Sequence, residues 1–407
     1  MRFGTGASQA LPIIAVVFVA AALLALVLTP VARRLALRFE LVDRPDPRRV
    51  NPVPIPRGGG LAAAAAFVIV SLAVIAASGG VLPVGRIGPL TTAELVALVG
   101  GGALAALLGV LDDYFDLRAR WQLLAQLVLA FLVVALGIGV DVVNNPFGPG
   151  VIRLEGVFEV AFTVVWVLGM INSINFIDGL DGLSSGVTII AAVTLGLINL
   201  TPGIDQPQVA IFCFAFAGAV LGFLRWNFHP ATVFAGTSGV FFFGFTLALL
   251  SILGTAKIAV ALLVLSVPII DTFWIIVRRV AQGRSPFSPD RGHIHHRLLD
   301  LGLSHRQTVL LIYGICLLLA MLTFLLSGTG QMYAFLAIVV SFGLVLIFLT
   351  RRASNGEPAA ELQGGDVADG SAVGMDAGGA AAPVSAAGPS VGGAGAGAAR
   401  SGGDGSG

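Results

Sequence analysis

Charge is scarce in this chain of 407 residues: only 11% are Asp, Glu, Lys or Arg, where a soluble domain carries about 25%. That scarcity excludes a soluble globular enzyme. With apolar residues at 57%, a disordered chain is excluded as well. Cysteine is nearly absent. Cys213 and Cys316 both sit inside apolar runs, so neither a disulfide framework nor a zinc site follows from them, and thiols buried among apolar helices are the plainer reading. An excess of one sign of charge is also missing. The formal net charge is +1, without the basic face a nucleic-acid partner requires. What is abundant is apolar sequence in long runs, and a mean hydropathy of +0.95 points to a polytopic membrane protein.

A spanning helix needs about 20 apolar residues. Eleven segments qualify: 11–30, 59–78, 93–111, 121–139, 157–173, 183–200, 208–225, 239–253, 256–278, 308–326 and 331–350. The sequence therefore predicts an all-α polytopic membrane protein of about eleven transmembrane helices. The segment 239–253 is short and 256–278 follows it closely. The first segment reads as a span, not a cleaved signal, because it is long, lacks a clear cleavage site and runs straight into a basic loop. Arginine sets the orientation. Arg33, Arg34, Arg38, Arg44, Arg48, Arg49 and Arg57 follow the first segment, and Arg279, Arg284, Arg291, Arg297 and Arg306 follow the ninth. The opposite turns hold little beyond Arg86, Arg153 and Lys257. The N-terminus is thus expected outside and the C-terminus in the cytoplasm, in line with Arg351 and Arg352. Residues 1–352 form the membrane domain. Residues 353–407 turn to Gly, Ala and Ser with scattered acids, which reads as a disordered cytoplasmic tail, dispensable in preference to a docking segment.

Ionisable groups at the ends of spanning helices are costly and read as functional by default. Five polar clusters all fall on the expected cytoplasmic side. The first is RVNPVPIPRGGG at 49–60: prolines stiffen it, glycines admit a close backbone, and Arg49 and Arg57 can hold phosphate. A positive-inside anchor is the competing reading, preferred for Arg57 taken alone. The second is Asp112, Asp113 and Asp116 in LDDYFDLRARWQ. Clustered carboxylates suit Mg²⁺ or proton abstraction, against a helix cap or a loop marker. The third is NSINFIDGLDG, where Asn172, Asn175, Asp178 and Asp181 recur every three residues along one helix face or end, against plain Asp-Gly turn punctuation. The fourth, HPATVFAGTSGV at 229–240, offers Phe234 for stacking on a base and glycine backbone for phosphate; alone it is weak. The fifth, SPDRGHIHHRLLDLGLS, sets His293, His295 and His296 between Arg291 and Arg297. Zinc is one reading, but flanking arginines repel a cation and fit a pyrophosphate better.

Taken together, DDYFD at 112–116, NSINFIDGLDGL at 172–183 and DRGHIHHRLLDLGLS at 290–304 resemble the polyprenyl-phosphate N-acetylhexosamine-1-phosphate transferases, the glycosyltransferase family 4 membrane enzymes. The resemblance runs over roughly residues 10–350. The histidine block, and Asp116 where the muramoyl-pentapeptide branch carries Lys, resemble the branch that acts on undecaprenyl or decaprenyl phosphate with N-acetylglucosamine-1-phosphate. The resemblance implies transfer from a UDP-N-acetylhexosamine to polyprenyl phosphate, releasing UMP. It also implies Mg²⁺ (or Mn²⁺), a prokaryotic plasma membrane with the site facing the cytoplasm, a homodimer, and envelope glycans such as lipopolysaccharide or teichoic acid as destination. Residue by residue it implies Asp112 and Asp113 as the aspartate pair that deprotonates or positions the lipid phosphate. Asn175 and Asp178 lie near nucleotide and metal, Asn172 is counted with the substrate-binding residues, Asp181 contacts uracil, and Phe234 stacks on it. His293, His295 and His296 with Arg291 form a loop over the diphosphate and sugar, and Arg49 sits near the ribose.

Two departures stand out. The family's fourth motif reads Gly-Asp, the acid being a Mg²⁺ ligand; here Thr237 follows Gly236, and Val240 replaces a common Ser. Asn51 stands where His is usual. Three explanations remain open: the hydroxyl of Thr237 or Ser238 ligates the metal, the carboxylates of Asp112, Asp113 or Asp178 suffice, or the protein is impaired. A lipid-linked-sugar transporter is a rival class, but it calls for polar groups at mid-bilayer and repeated halves, whereas here charge gathers at one face and no repeat is found.

Overall fold

The structure, a computed structural model, describes residues 7–43, 54–78, 90–145, 147–148, 150–253, 258–283 and 293–355. Arg49, Asn51 and Arg291, and nearly all of the tail expected from 353 onward, lie outside the described residues. The chain divides into two units, 1–352 and 353–407, and every described helix and strand begins in the first.

Every apolar run becomes helix, as low-dielectric surroundings demand of a backbone that must satisfy its own hydrogen bonds. The helices are α1 (Ala7–Arg38), α2 (Gly60–Ser78), α3 (Thr92–Leu95), α4 (Gly102–Phe115), α5 (Ala119–Ala135), α6 (Val157–Ile177), α7 (Leu183–Asn199), α8 (Pro207–Asn227), α9 (Gly236–Ile252), α10 (Ile258–Val264), α11 (Ser266–Ala281), α12 (Ile294–Asp300), α13 (His305–Thr323) and α14 (Gly328–Asn355). A π-helical stretch, Val96–Gly101, joins α3 to α4, making Thr92–Phe115 continuous. Among the described residues, seven units are long and apolar enough to cross a bilayer, or eight if the bent pair α10–α11 counts as one. The chain is a multi-pass membrane protein.

Three of the eleven expected spans are shorter. Helices α5, α7 and α9 have 17 residues each, about 25 Å at 1.5 Å per residue, against a hydrocarbon core of about 30 Å. The segment 256–278 differs more. It breaks at Leu265, and α10 and α11 meet at 79°. Pro268 is the physical reason, since its ring crowds the carbonyl of Val264 and removes an N–H from the ladder. The all-α expectation also needs amendment by two small antiparallel ribbons. In one, β1 (Val42–Asp43) pairs with β2 (Ile55–Pro56), Val42 opposite Pro56. In the other, β3 (Val142–Asn144) pairs with β4 (Val151–Arg153).

The core centres on α8 and α9. Phe67, Phe216, Phe223, Phe241, Phe242, Phe243 and Phe245 are fully buried; Phe216 and Phe242 meet edge-to-face at 5.4 Å, the arrangement ring quadrupoles favour. Gly218 and Gly222 of α8 lie directly against the Phe18 and Ala22 carbonyls of α1, a small-residue crossing of the kind that lets membrane helices approach. Outward faces are apolar too: Val16, Val27, Leu318 and Val340 are all exposed, as surfaces facing lipid chains should be.

Candidate active site

One polar cavity of about 410 Å³ opens where several helix ends converge. The C-terminal turn of α4 brings Asp112, Asp113 and Asp116, and the start of α5 brings Gln122. The end of α6 and the turn beyond it bring Asn175, Asp178, Gly179 and Asp181. The end of α8 and the loop to α9 bring Asn227 and Phe234, the first residues of α9 bring Gly236 and Thr237, and α12 brings His296. Asp43 and Arg57 close one side.

Asp113 shapes the α9 end. Its two oxygens accept from the backbone N–H groups of Thr237 (2.8 Å) and Ser238 (3.0 Å). A carboxylate from α4 thus caps a helix that has no side-chain cap of its own, and it meets the positive end of the helix dipole. Gly236 makes this possible: its φ is +70° and a Cβ there would lie 2.6 Å from Asp113 Oδ2. The clustered aspartates do include a helix cap, though for α9 and not for the helix beginning near Trp121. Asp112, buried, accepts from Gln122 Nε2 at 2.9 Å. Asp178, just past α6, accepts from the Ser184 hydroxyl. Burial pushes its pKa up to about 7, and the charges of Asp113 and Asp181 add to the rise. Asp181 Oδ2 accepts from His229 Nδ1 (2.7 Å) and the Ala231 N–H (3.1 Å).

The three-residue repeat does not put all four polar groups at the cavity. Asn172 is turned to α5, where its amide donates to Gln126 Oε1 (2.6 Å) and to the Leu168 carbonyl (2.8 Å). Three residues advance a helix by about 300°, so successive members drift around the axis, and the member one turn deeper meets a neighbouring helix. Asn175, Asp178 and Asp181 do line the cavity, as do Asp112, Asp113, Phe234 and Thr237.

Of the three histidines only His296 lines it. His293 turns away, its Nδ1 lying 2.8 Å from Asp271 Oδ2, while Asp271 Oδ1 accepts from the Ile294 N–H at 2.9 Å. His295 is buried, with its ring against Gly179 and parallel to the His293 ring at 5.5 Å. Burial first, and then His296, His293 and His305, hold its pKa well below the ordinary imidazole value. These two rings therefore brace the loop from behind, a correction to their expected position over the diphosphate. Asp271 anchors the first turn of the short α12. Nothing in the spacing of α11 marked Asp271, although an acid inside an apolar segment is itself a signal.

Arg57, read alone as a membrane-side anchor, lines the cavity and pairs with Asp43. The β1–β2 ribbon and hydrogen bonds from Phe234 N to the Pro56 carbonyl and from Gly59 N to the Phe234 carbonyl, both 2.8 Å, hold this pair beside Phe234. Asp43, Gln122 and Asn227 were not marked by any motif spacing; each depends on a distant segment for its place.

The donors of Asp113, Asp178, Asn175 and Thr237 are all oxygen, and carboxylate oxygens keep a second lone pair when hydrogen-bonded. Such a set suits a hard dication, which needs only one or two carboxylates beside substrate phosphates and water. The mutual repulsion of Asp113, Asp178 and Asp181 is what such an ion would relieve. Among the described residues, Asp112, Asp113 and Asp178 do not bring three ligand atoms within 4.8 Å of one another; Asp181, His229 and His305 do.

The profile of Glycosyl transferase family 4 matches residues 95–255, a stretch holding every cavity residue except Asp43, Arg57 and His296. The chain is 35% identical over 306 residues to a probable undecaprenyl-phosphate N-acetylglucosaminyl 1-phosphate transferase of Bacillus subtilis, covering 74% of this chain and 81% of that one. It is 36% identical over 381 residues to a decaprenyl-phosphate N-acetylglucosaminephosphotransferase of Mycolicibacterium smegmatis, covering 86% and 92%. It is 29% identical over 303 residues to an undecaprenyl-phosphate alpha-N-acetylglucosaminyl 1-phosphate transferase of Yersinia pestis, covering 72% and 78%.

Proposed function

The chain belongs to glycosyl transferase family 4, and from that membership we propose that it transfers N-acetylglucosamine-1-phosphate from a UDP-sugar to polyprenyl phosphate, releasing UMP, for envelope glycan synthesis. The observation that carries this reading is the convergence of Asp112, Asp113, Asp178, Thr237 and His296, from four separated segments, on one polar cavity of an otherwise apolar helix bundle. A carrier whose chain stays in lipid needs its headgroup met at such a place, where a soluble nucleotide sugar also has access. The arginine distribution supports a cytoplasmic-face cavity in a prokaryotic plasma membrane.

In the reaction a lipid-phosphate oxygen bonds to the β-phosphorus of the UDP-sugar while the bond to the bridging oxygen breaks and UMP departs with its electron pair. Positioning and charge stabilisation supply most of the catalysis in such transfers. Asp112, with one oxygen held by Gln122, orients the incoming phosphate. Asp178, with its pKa near 7, is suited to exchange a proton at working pH. Phe234 and Asn175 hold the nucleotide, Asp181 lines the uracil end, and Arg57, Arg49, Arg291 and His296 offset the diphosphate charge. Asp113, Asp178 and Thr237 would hold Mg²⁺ or Mn²⁺, which when bound neutralises diphosphate charge and favours departure of UMP. A homodimer belongs to the same reading.

The test is UMP release by the purified protein from UDP-N-acetylglucosamine with polyprenyl phosphate and Mg²⁺. Release that requires the lipid supports the proposal. No release under these conditions overturns it, and is what a transporter or an impaired relative would give.

A further inference from the structure

We propose that Asp181, His229 and His305 form a second metal site, for a borderline dication of the Zn²⁺ class, which staples three segments around the cavity. One ligand atom from each residue lies within 4.8 Å of the other two. They come from different places: Asp181 from the turn between α6 and α7, His229 from the loop between α8 and α9, His305 from the first position of α13.

Three observations point to an ion here. Both ring nitrogens of His305 are buried and make no hydrogen bond of normal geometry, the Asp181 backbone offering only a weaker contact, an arrangement that buried polar atoms seldom keep unless something else satisfies them. The His229 and His305 rings stack with centroids 4.1 Å apart and planes 19° from parallel, so the two imidazoles are held side by side next to Asp181. And Asp181 Oδ2 already accepts from His229 Nδ1 at 2.7 Å, a carboxylate–imidazole contact that a bound ion would replace with release of the Nδ1 proton. The negative potential is reinforced by Asp178 nearby.

The donor chemistry selects the ion. Two imidazoles and one carboxylate suit Zn²⁺ and its neighbours, not Mg²⁺, which prefers oxygen. Tetrahedral donors at about 2.0–2.2 Å from an ion stand roughly 3.3 Å apart, so closure on the ion asks for an approach on the order of 1 Å and for the stacked rings to turn out of parallel until both in-plane lone pairs meet it. Arg306 donates to the His229 carbonyl at 3.1 Å, engaging the backbone and leaving the ring to the cluster. His229 and His305 do not line the polar cavity whereas Asp181 does, so the site shares one carboxylate with the uracil end and leaves Asp112, Asp113 and Asp178 to the proposed phosphate chemistry. Its effect is to fix the spacing of the turn carrying Asp178, the loop carrying Phe234 and the helix that comes after His296.

The experiment is a Co²⁺ titration of the full-length protein in detergent, stripped with chelator and kept in excess Mg²⁺ to fill oxygen-only sites. One Mg²⁺-resistant Co²⁺ per chain is expected, with ligand-field absorption abolished by Zn²⁺. Two variants should each weaken it by at least about tenfold, the loss that even an outer-sphere partner of a metal ligand produces: His305→Phe, which keeps a stacked ring, and His229→Asn, which keeps a polar partner for Asp181. His296→Ala should leave it unchanged. No Mg²⁺-resistant band in the wild-type protein overturns the proposal, as does a band that survives both variants or vanishes with His296→Ala. Because the readout is metal binding and not UMP release, its failure is distinct from failure of the transferase reading.

Discussion

Asp113 has two jobs that a sequence motif cannot separate. Its oxygens cap α9, so Asp113→Ala should cost about 1–2 kcal/mol of stability beside any loss of transfer; denaturation in detergent measures the first and UMP release the second. Asp178 is the residue whose environment changes its chemistry most. With its pKa raised to about 7 by burial, then by Asp113 and Asp181, the folded protein keeps a proton that the unfolded chain has already released at that pH. The folded state therefore binds more protons, and stability should fall as pH rises from the ordinary carboxylate range through about 7. In chelator, melting temperatures across that window should decline for the wild type and stay flatter for Asp178→Asn; equal slopes would contradict the burial argument. Thr237 stands where the resemblance to the family implies the acid of a Gly-Asp motif. Its side chain lines the cavity while its N–H caps onto Asp113, a bond that a new side chain does not remove. Thr237→Asp should thus leave Mg²⁺ affinity unchanged or improve it; weaker Mg²⁺ activation of UMP release would mean the ion is held elsewhere. The aspartates, Asn175, Phe234 and His296 could be singled out in the sequence because polar groups beside apolar runs are rare. Asp43, Asp271 and His305 could not be assigned, because each takes its meaning from a partner far along the chain: Arg57 across a ribbon, His293 from another helix, Asp181 from another turn.

At the scale of elements, long helices were legible because an apolar run in lipid has few alternatives to helix. The break at Leu265 was not, although Pro268 lies in the run, because a proline near a helix start is tolerated as often as it breaks one. That break matters. It turns α11 so that Asp271 meets His293 and the first turn of α12. Asp271→Ala should free α12 and lower turnover by up to about a hundredfold, while Asp271→Asn, still able to accept from the Ile294 N–H, should retain more; equal loss in both would point to the charge and not to the anchor. The two-residue β1–β2 ribbon escaped prediction because so short a strand has no periodicity, yet it carries Asp43 and leads to Arg57.

For the whole molecule, the arginine asymmetry predicts a cytoplasmic C-terminus. A reporter fused after residue 407 that is active only outside the membrane should be silent, and one active only in the cytoplasm should work; the reverse would invert the placement of the cavity. Hydropathy and charge were enough to establish a multi-pass helical membrane protein with its acids and imidazoles at helix ends, because both are local properties legible residue by residue. Three-dimensional packing was needed to sort those groups: which share the cavity, which brace it from behind as His293 and His295 do, and which meet as the Asp181, His229 and His305 cluster. Those outcomes depend on helix rotation, on the 79° bend between α10 and α11, and on contacts such as that of Asp113 with Thr237, between segments far apart in the chain, for which no local pattern exists.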